Sequence, residues 1–304
     1  MKIVTLGTSA GRPTIERSAS ASALEFEGEV FLFDCGEGTQ VQLAKSTLHW
    51  GNLKAIFISH LHGDHIHGLA GLLGTLSLQD REAPLKVFGP TGIKKYMAVM
   101  MELKTSWIRY PLEITEIRAA GVLLENKKYF VECAKLNHVV ECWGYAFREK
   151  TRPGIFNEEK AKALNIPFGP IRREIVEGKI VTLENGQIIK PEELLGPVRP
   201  GRHVAHCLDT QPCRSDLYLA ENADVLIHES TFDHSLNSKV KDWGHSTSCQ
   251  AADIARQAKA TQLLLTHISP RYGNGKQLLE EAKTEFKNTK MAQDLLEFEV
   301  PYRE

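Results

Sequence analysis

Three histidines and an aspartate fall within six residues in Ile58-Ser59-His60-Leu61-His62-Gly63-Asp64-His65, directly after the apolar run Ala55-Ile56-Phe57-Ile58. Imidazole nitrogens ligate zinc and similar divalent ions, and a carboxylate binds a second ion or holds a water. The i, i+2 spacing lets the His60 and His62 rings reach one ion from a tight loop. Asp64 and His65 then face a neighbouring ion, with Gly63 permitting the turn between the two pairs. The plainer alternative is a histidine-rich surface loop, which four such side chains at a strand end disfavour. His67 reads as the first turn of the following helix, outside the metal shell.

One motif supplies too few ligands for two ions, so other segments must contribute. Apolar strand patterns end on ligand-type residues four more times. Tyr129–Leu136 leads to Asn137-His138, and His203–Leu208 leads to Asp209-Thr210. Ala223–Ile227 leads to His228-Glu229, and Gln262–Leu265 leads to Thr266-His267. Each alone is an ordinary strand end. Their repetition matters, because ligands of open α/β sheets gather outside the carboxyl ends of the strands. The expected first site is His60, His62, His138 and Asp209; the second is Asp64, His65 and His267 with Asp209 bridging. His49, His203, His206 and His234 are given structural or loop roles, and His228 is expected to face away from Glu229 by strand alternation.

The elements that carry these residues are short. Further strands are expected at Lys2–Gly7, Ala23–Glu27, Val30–Asp34, Ala55–Ser59, Leu85–Phe88, Leu112–Ile117 and Trp143–Arg148. Helices are expected at Thr39–Ser46, His67–Gln79, Gly92–Leu103, Ser248–Lys259 and Lys276–Phe286. Thr247-Ser248-Cys249-Gln250 reads as a capping box, which puts His245 just before a helix N-terminus. Strands precede mixed strand–helix units in each half. That order implies two packed sheets with helices outside, an α/β four-layer αββα sandwich. Residues 150–202 break the rhythm: they hold six of the thirteen prolines and a mild basic excess, with a short helix expected around Glu158–Asn165. Such a segment inside a compact enzyme is functional or a variable insertion. The organisation expected is a single domain over residues 1–304 carrying an arm at 150–202.

Composition narrows the class. With 304 residues, 42% apolar and 25% charged, the chain fits an ordinary globular enzyme and excludes a disordered or fibrous one. No apolar run approaches the roughly 20 residues of a membrane span, and the N-terminus lacks a signal-peptide pattern. A cytoplasmic location is expected. The six cysteines contain no C-x-x-C pair and are expected to be reduced. A net charge of −1 means that any nucleic-acid contact must be local.

His60-Leu61-His62-Gly63-Asp64-His65 matches the H-x-H-x-D-H signature of the metallo-β-lactamase superfamily. Leu6-Gly7-Thr8-Ser9-Ala10-Gly11, Phe33-Asp34-Cys35-Gly36-Glu37-Gly38-Thr39-Gln40, His228-Glu229-Ser230-Thr231, Gly244-His245-Ser246-Thr247 and Thr266-His267 with Arg271-Tyr272 narrow the resemblance to the short form of the tRNase Z family. It covers almost the whole chain. Two positions depart from the family pattern: Leu208 replaces a glycine before Asp209, and Ser230 replaces the alanine of H-E-A-T. The resemblance implies the metallo-β-lactamase fold, two Zn2+ per subunit (Mn2+ or other divalent ions also suit the ligands), a precursor tRNA substrate and a homodimer. It implies hydrolysis that removes the 3′ trailer, leaving a 3′-hydroxyl on the tRNA and a 5′-phosphate on the trailer. It also implies that the arm clamps tRNA, with Ile166-Pro167-Phe168-Gly169-Pro170 at its tip and Gly169, Pro170, Arg172 and Arg173 on the RNA. Asp64 is the expected base, and His245, oriented by Glu229, the expected proton donor. The alternative is a hydrolase or phosphodiesterase of the same fold that acts on small substrates and needs no arm.

Overall fold

A computed structural model describes residues 1–102 and 108–303. The strands are β1 (Lys2–Gly7), β2 (Ala21–Phe26), β3 (Glu29–Phe33), β4 (Leu53–Phe57), β5 (Leu85–Gly89), β6 (Leu112–Glu116), β7 (Gly121–Glu125), β8 (Tyr129–Lys135), β9 (Trp143–Glu149), β10 (Val181–Thr182), β11 (Ile188–Ile189), β12 (His203–Cys207), β13 (Val225–Glu229), β14 (Gln262–Thr266), β15 (Thr289–Met291) and β16 (Leu296–Glu299). The helices are α1 (Thr39–Lys45), α2 (Gly63–Ile66), α3 (Leu69–Leu78), α4 (Ile93–Glu102), α5 (Glu158–Ala163), α6 (Pro170–Val176), α7 (Pro191–Leu194), α8 (Arg214–Ala220), α9 (Asn237–Trp243), α10 (Ser248–Gln257) and α11 (Lys276–Glu285). The chain forms two compact units, residues 1–148 with 202–301 and residues 149–201 with 302–304.

The larger unit contains two seven-stranded sheets, ordered β16-β1-β2-β3-β4-β5-β6 and β15-β14-β13-β12-β9-β8-β7. Their facing surfaces interdigitate Phe26, Phe31, Phe33 and Phe57 from one sheet with Tyr129, Tyr145, Phe147 and Ile227 from the other. The outer face of the first sheet buries Val4, Leu32 and Ile56 against Leu43, Leu69 and Leu73 of α1 and α3. The outer face of the second packs Ala205, Leu226 and Leu263 on Leu219, Ala252 and Ala282 of α8, α10 and α11. This is the αββα sandwich expected from the alternation of elements.

Strand direction places the chemistry. β3, β4, β5 and β6 run parallel, as do β12, β13, β14 and β15. The residues after β3, β4, β12, β13 and β14 therefore emerge along one rim. The sheets are stitched at that rim: the Tyr145 hydroxyl donates to Ile58 O at 2.6 Å and Ala10 N donates to Ile268 O at 3.0 Å.

Several expected boundaries shift. The helix after the histidine motif starts at Gly63 and breaks before Leu69, so Asp64 and His65 lie on a helical turn and His67 ends it. Gly63 is not there for a left-handed turn. A Cβ on it would stand 2.4 Å from Nε2 of the exposed His67 ring, which would have to swing aside to admit a side chain. The expected helix Gly92–Leu103 runs over Ile93–Glu102, and Leu103 lies outside the described residues. The short strands β7, β15 and β16 were not among the expected elements.

The smaller unit has more structure than one helix. It comprises α5, α6, α7 and the hairpin β10–β11 around its own core of Ala161, Ile166, Ile175, Val181, Ile189 and Leu194. Gly169 has φ 127° and ψ −150°, a region only glycine occupies without strain, and Pro170 opens α6 immediately after it. All six cysteines are free. No helix among the described residues is long and apolar enough to cross a membrane.

Candidate active site

The rim gathers all seven expected ligands. His60 Nε2 lies 2.9 Å from His62 Nδ1, and His138 Nε2 lies 3.5 Å from that same atom. Beside them, His65 Nε2, His267 Nε2 and Asp64 Oδ2 form a triangle with edges of 3.3 to 3.4 Å. Asp209 stands between the two groups, with Oδ2 3.8 Å from His60 and 3.5 Å from His65, and Oδ1 3.3 Å from His267. Ligands about 2.0–2.1 Å from a tetrahedral ion stand roughly 3.3–3.4 Å from one another. The triangle has that spacing.

The outward nitrogens fix which atoms face inward. His65 Nδ1 is 2.8 Å from Asp34 Oδ2, and Asp34 itself accepts from Ser59 N at 2.7 Å and Ser59 Oγ at 3.0 Å. His138 Nδ1 donates to Gly244 O at 2.7 Å, and His267 Nδ1 donates to Thr231 Oγ1 at 2.9 Å. With Nδ1 protonated on these partners, the Nε2 lone pairs of His65, His138 and His267 point into the cluster. Metal-bound histidines are held in this way. Asp34 and Thr231 were not singled out from the sequence as site residues. Their signal was the F-D-C-G-E-G-T-Q and H-E-x-T blocks, whose chemistry is invisible until the histidines stand beside them. Asp34 and His267 both have positive φ, 58° and 55°, a strain characteristic of functional sites.

The electrostatics also suit a cation. Burial, the largest influence, holds His60 well below its ordinary value and lowers His62, so both are neutral lone-pair donors. Asp209 is buried, yet its Oδ1 has no hydrogen-bond donor among the described residues. A buried anion facing imidazole lone pairs is costly without a positive charge among them. The donor set of imidazole and carboxylate therefore fits a divalent metal.

Next to this cluster, Glu229 is fully buried and 3.0 Å from His245 Nδ1. It accepts three further hydrogen bonds, from Thr210 N at 2.7 Å, Ser246 N at 3.0 Å and Thr231 Oγ1 at 2.6 Å. Burial disfavours charge on His245, but Glu229 and then Asp209 outweigh it and raise the imidazole to about 9. The Thr247–Gln250 capping box forms as expected and anchors α10 two residues past His245. His228 turns away to Asp216 at 3.7 Å, and His206 stacks on Phe33 in the core.

A ribonuclease Z of Bacillus cereus strain B4264 is 44% identical over 305 residues, covering 99% of both chains. The chain belongs to the ribonuclease Z family. Among solved structures, the human short-form tRNase Z superposes with a TM-score of 0.73 at 29% identity, over 99% of this chain and 100% of that one. The metallo-β-lactamase fold protein YhfI of Bacillus subtilis aligns with a TM-score of 0.69 at 20% identity over 98% of each chain, which shows the shared fold. The family profile of the Anti-Pycsar protein Apyc1 matches residues 1–100. As a member of the ribonuclease Z family the chain is a hydrolase, an endoribonuclease of the metallo-β-lactamase fold.

The two departures from the family pattern remove none of the expected ligands. Leu208 is buried, with its carbonyl accepting from Cys142 Sγ at 3.1 Å. Ser230 is buried with a hydroxyl that has no hydrogen-bond partner among the described residues. One expected arm contact changes. Arg172 does not project toward solvent: its side chain is 11% exposed and its guanidinium donates to Ile166 O at 2.8 Å and Pro167 O at 3.1 Å. A long cation beside orphaned carbonyls of a turn satisfies them in preference to water. Gly169, Pro170 and Arg173 are exposed.

Proposed function

We propose that the protein is the endoribonuclease that removes the 3′ trailer from precursor tRNA, leaving a 3′-hydroxyl on the tRNA and a 5′-phosphate on the trailer. The observation that carries this is the Glu229–His245 pair beside a seven-ligand cluster, in a chain 44% identical to a ribonuclease Z along its length. Two Zn2+ ions are the cofactors proposed, one on His60, His62 and His138, the other on Asp64, His65 and His267, with Asp209 shared. Bound there, such ions would acidify a water and offset the charge of the phosphodiester.

The residues of the chain do the remaining work. Gly11 N donates to Asp64 Oδ2 at 2.8 Å, which aims this carboxylate so that it can take the proton of the attacking water. His245 gives its proton to the departing oxygen; Nδ1 is occupied by Glu229, so Nε2 is the atom that delivers it. Thr231 links the two halves, donating to Glu229 and accepting from His267. Gly169, Pro170 and Arg173 of the arm are the proposed tRNA contacts, holding RNA by its backbone without reading sequence. A homodimer and a cytoplasmic location complete the proposal.

The test is cleavage of a 5′-labelled precursor tRNA by wild type and Asp64→Ala side by side. A product ending at the discriminator base, absent with the variant, is expected. If wild type leaves the RNA intact but hydrolyses a small phosphodiester, the substrate assignment fails.

A further inference from the structure

We infer that Phe168, clasped on one face by Arg172, is a stacking platform for an exposed nucleobase face of the folded tRNA. This rests on the proposal that the arm grips tRNA, and it names the element that does so. Phe168 is 77% exposed, an unusual position for an aromatic ring. The Arg172 guanidinium carbon lies 3.6 Å from the centre of that ring, a face-on contact. Arg172 is in turn pinned by the Ile166 and Pro167 carbonyls and by the Glu158 carboxylate. Its place is therefore fixed by the arm's own backbone, and the ring it supports is fixed with it. Such a ring loses little freedom when a base covers its other face.

The backbone leaves the free face of the ring open to a base. Arg172 is paired with Glu158 and Arg173 with Glu177, so the segment is mixed in charge and the stack itself is what selects the occupant. Gly169 has no side chain to screen the ring, and its conformation admits none without strain. A flat aromatic backed by a guanidinium suits a base stacked on its free face. A protein partner would instead favour a broader apolar surface around the ring. Arg172 is a positioning residue, acting on RNA through Phe168.

The experiment measures steady-state cleavage of precursor tRNA by the full-length enzyme and by Phe168→Ala, Phe168→Trp, Arg172→Ala and Arg172→Lys. One stack is worth roughly tenfold, so Phe168→Ala is expected to raise KM about tenfold, the loss falling on KM rather than kcat. Phe168→Trp is expected to retain the wild-type KM, and its added indole emission is quenched when tRNA binds. Arg172→Ala should match Phe168→Ala, with Arg172→Lys no better, since an ammonium cannot hold two carbonyls and a ring face together. A variant in which residues 155–195 are replaced by a short Gly-Ser linker separates two failures. If that deletion raises KM but Phe168→Ala does not, or if the added emission of Phe168→Trp ignores tRNA, the platform is wrong and the arm's grip stands. If the deletion leaves KM unchanged, the grip itself is wrong. Limited proteolysis of the Arg172 variants reads whether the arm stays folded; a protected arm with wild-type KM overturns the clasp.

Discussion

Replacing Glu229 by Gln removes the negative charge 3.0 Å from His245 Nδ1 while keeping the shape of the side chain. In the native protein four influences compete on this imidazole: burial lowers it, Glu229 and Asp209 raise it, and His65 lowers it a little, to about 9 in sum. Burial is the largest, Glu229 the next and Asp209 weaker, so without Glu229 burial prevails and His245 falls below its ordinary 6.5. At pH 8 the native imidazole is then about 90% protonated and the variant's no more than about 3%, a deficit of at least roughly 30-fold in available acid. The sign is fixed: a donor must be protonated, so activity fails as pH rises through its pKa, near 9 in the native enzyme and below 6.5 in the variant. The assay is kcat/KM for labelled precursor tRNA from pH 5.5 to 10, with thermal melts to show that the variant is folded. The alkaline limb should move down by at least two pH units, and the defect should shrink as pH falls toward 6. An alkaline limb that stays in place, or a loss of equal size at every pH, would refute the role given to His245.

Other expectations follow from the same geometry. His245→Ala should cost about 10²- to 10⁴-fold in kcat on precursor tRNA, the range for a lost general acid, while zinc content by atomic absorption stays at the native level; loss of zinc would make His245 a ligand instead. Asp34→Asn, which weakens the partner 2.8 Å from His65 Nδ1, should reduce zinc affinity by about 10- to 100-fold in chelator competition; an unchanged affinity would leave Asp34 with a purely structural role. Ser230→Ala removes a buried hydroxyl without a partner among the described residues and should stabilise by about 1 kcal/mol, read as a Tm increase of a few degrees; a decrease would show that the hydroxyl is satisfied in solution. Treatment with a chelator should lower Tm and added zinc should restore it, because ligand binding to the folded state alone is stabilising; a Tm blind to both would count against the metal centre.

Much of the site was legible in the residues because ligand chemistry is local and strand ends are short. His60, His62, Asp64 and His65 sit in one motif, and His138, Asp209 and His267 each follow an apolar run, so a reader who knows that parallel strands converge at their carboxyl ends can place all seven. The sandwich was legible in the order of elements, because strands that precede mixed strand–helix units in each half give two sheets that must be covered by helices. What escaped depended on contacts between segments far apart in sequence. Asp34 acquires its role only when β3 and β4 lie in parallel register and set it under His65, and Thr231 only when β13 and β14 bring it to His267. Arg172 shows the limit most plainly. Its sequence neighbours, a proline, a glycine and another arginine, suit an RNA contact, but which arginine faces solvent was decided by the carbonyls of Ile166 and Pro167, which a folded arm leaves in need of a donor. Residue types and their spacing set the chemistry and the layers; packing between distant segments set which nitrogen, oxygen or guanidinium points where, because hydrogen-bond satisfaction is settled between segments and not along the chain.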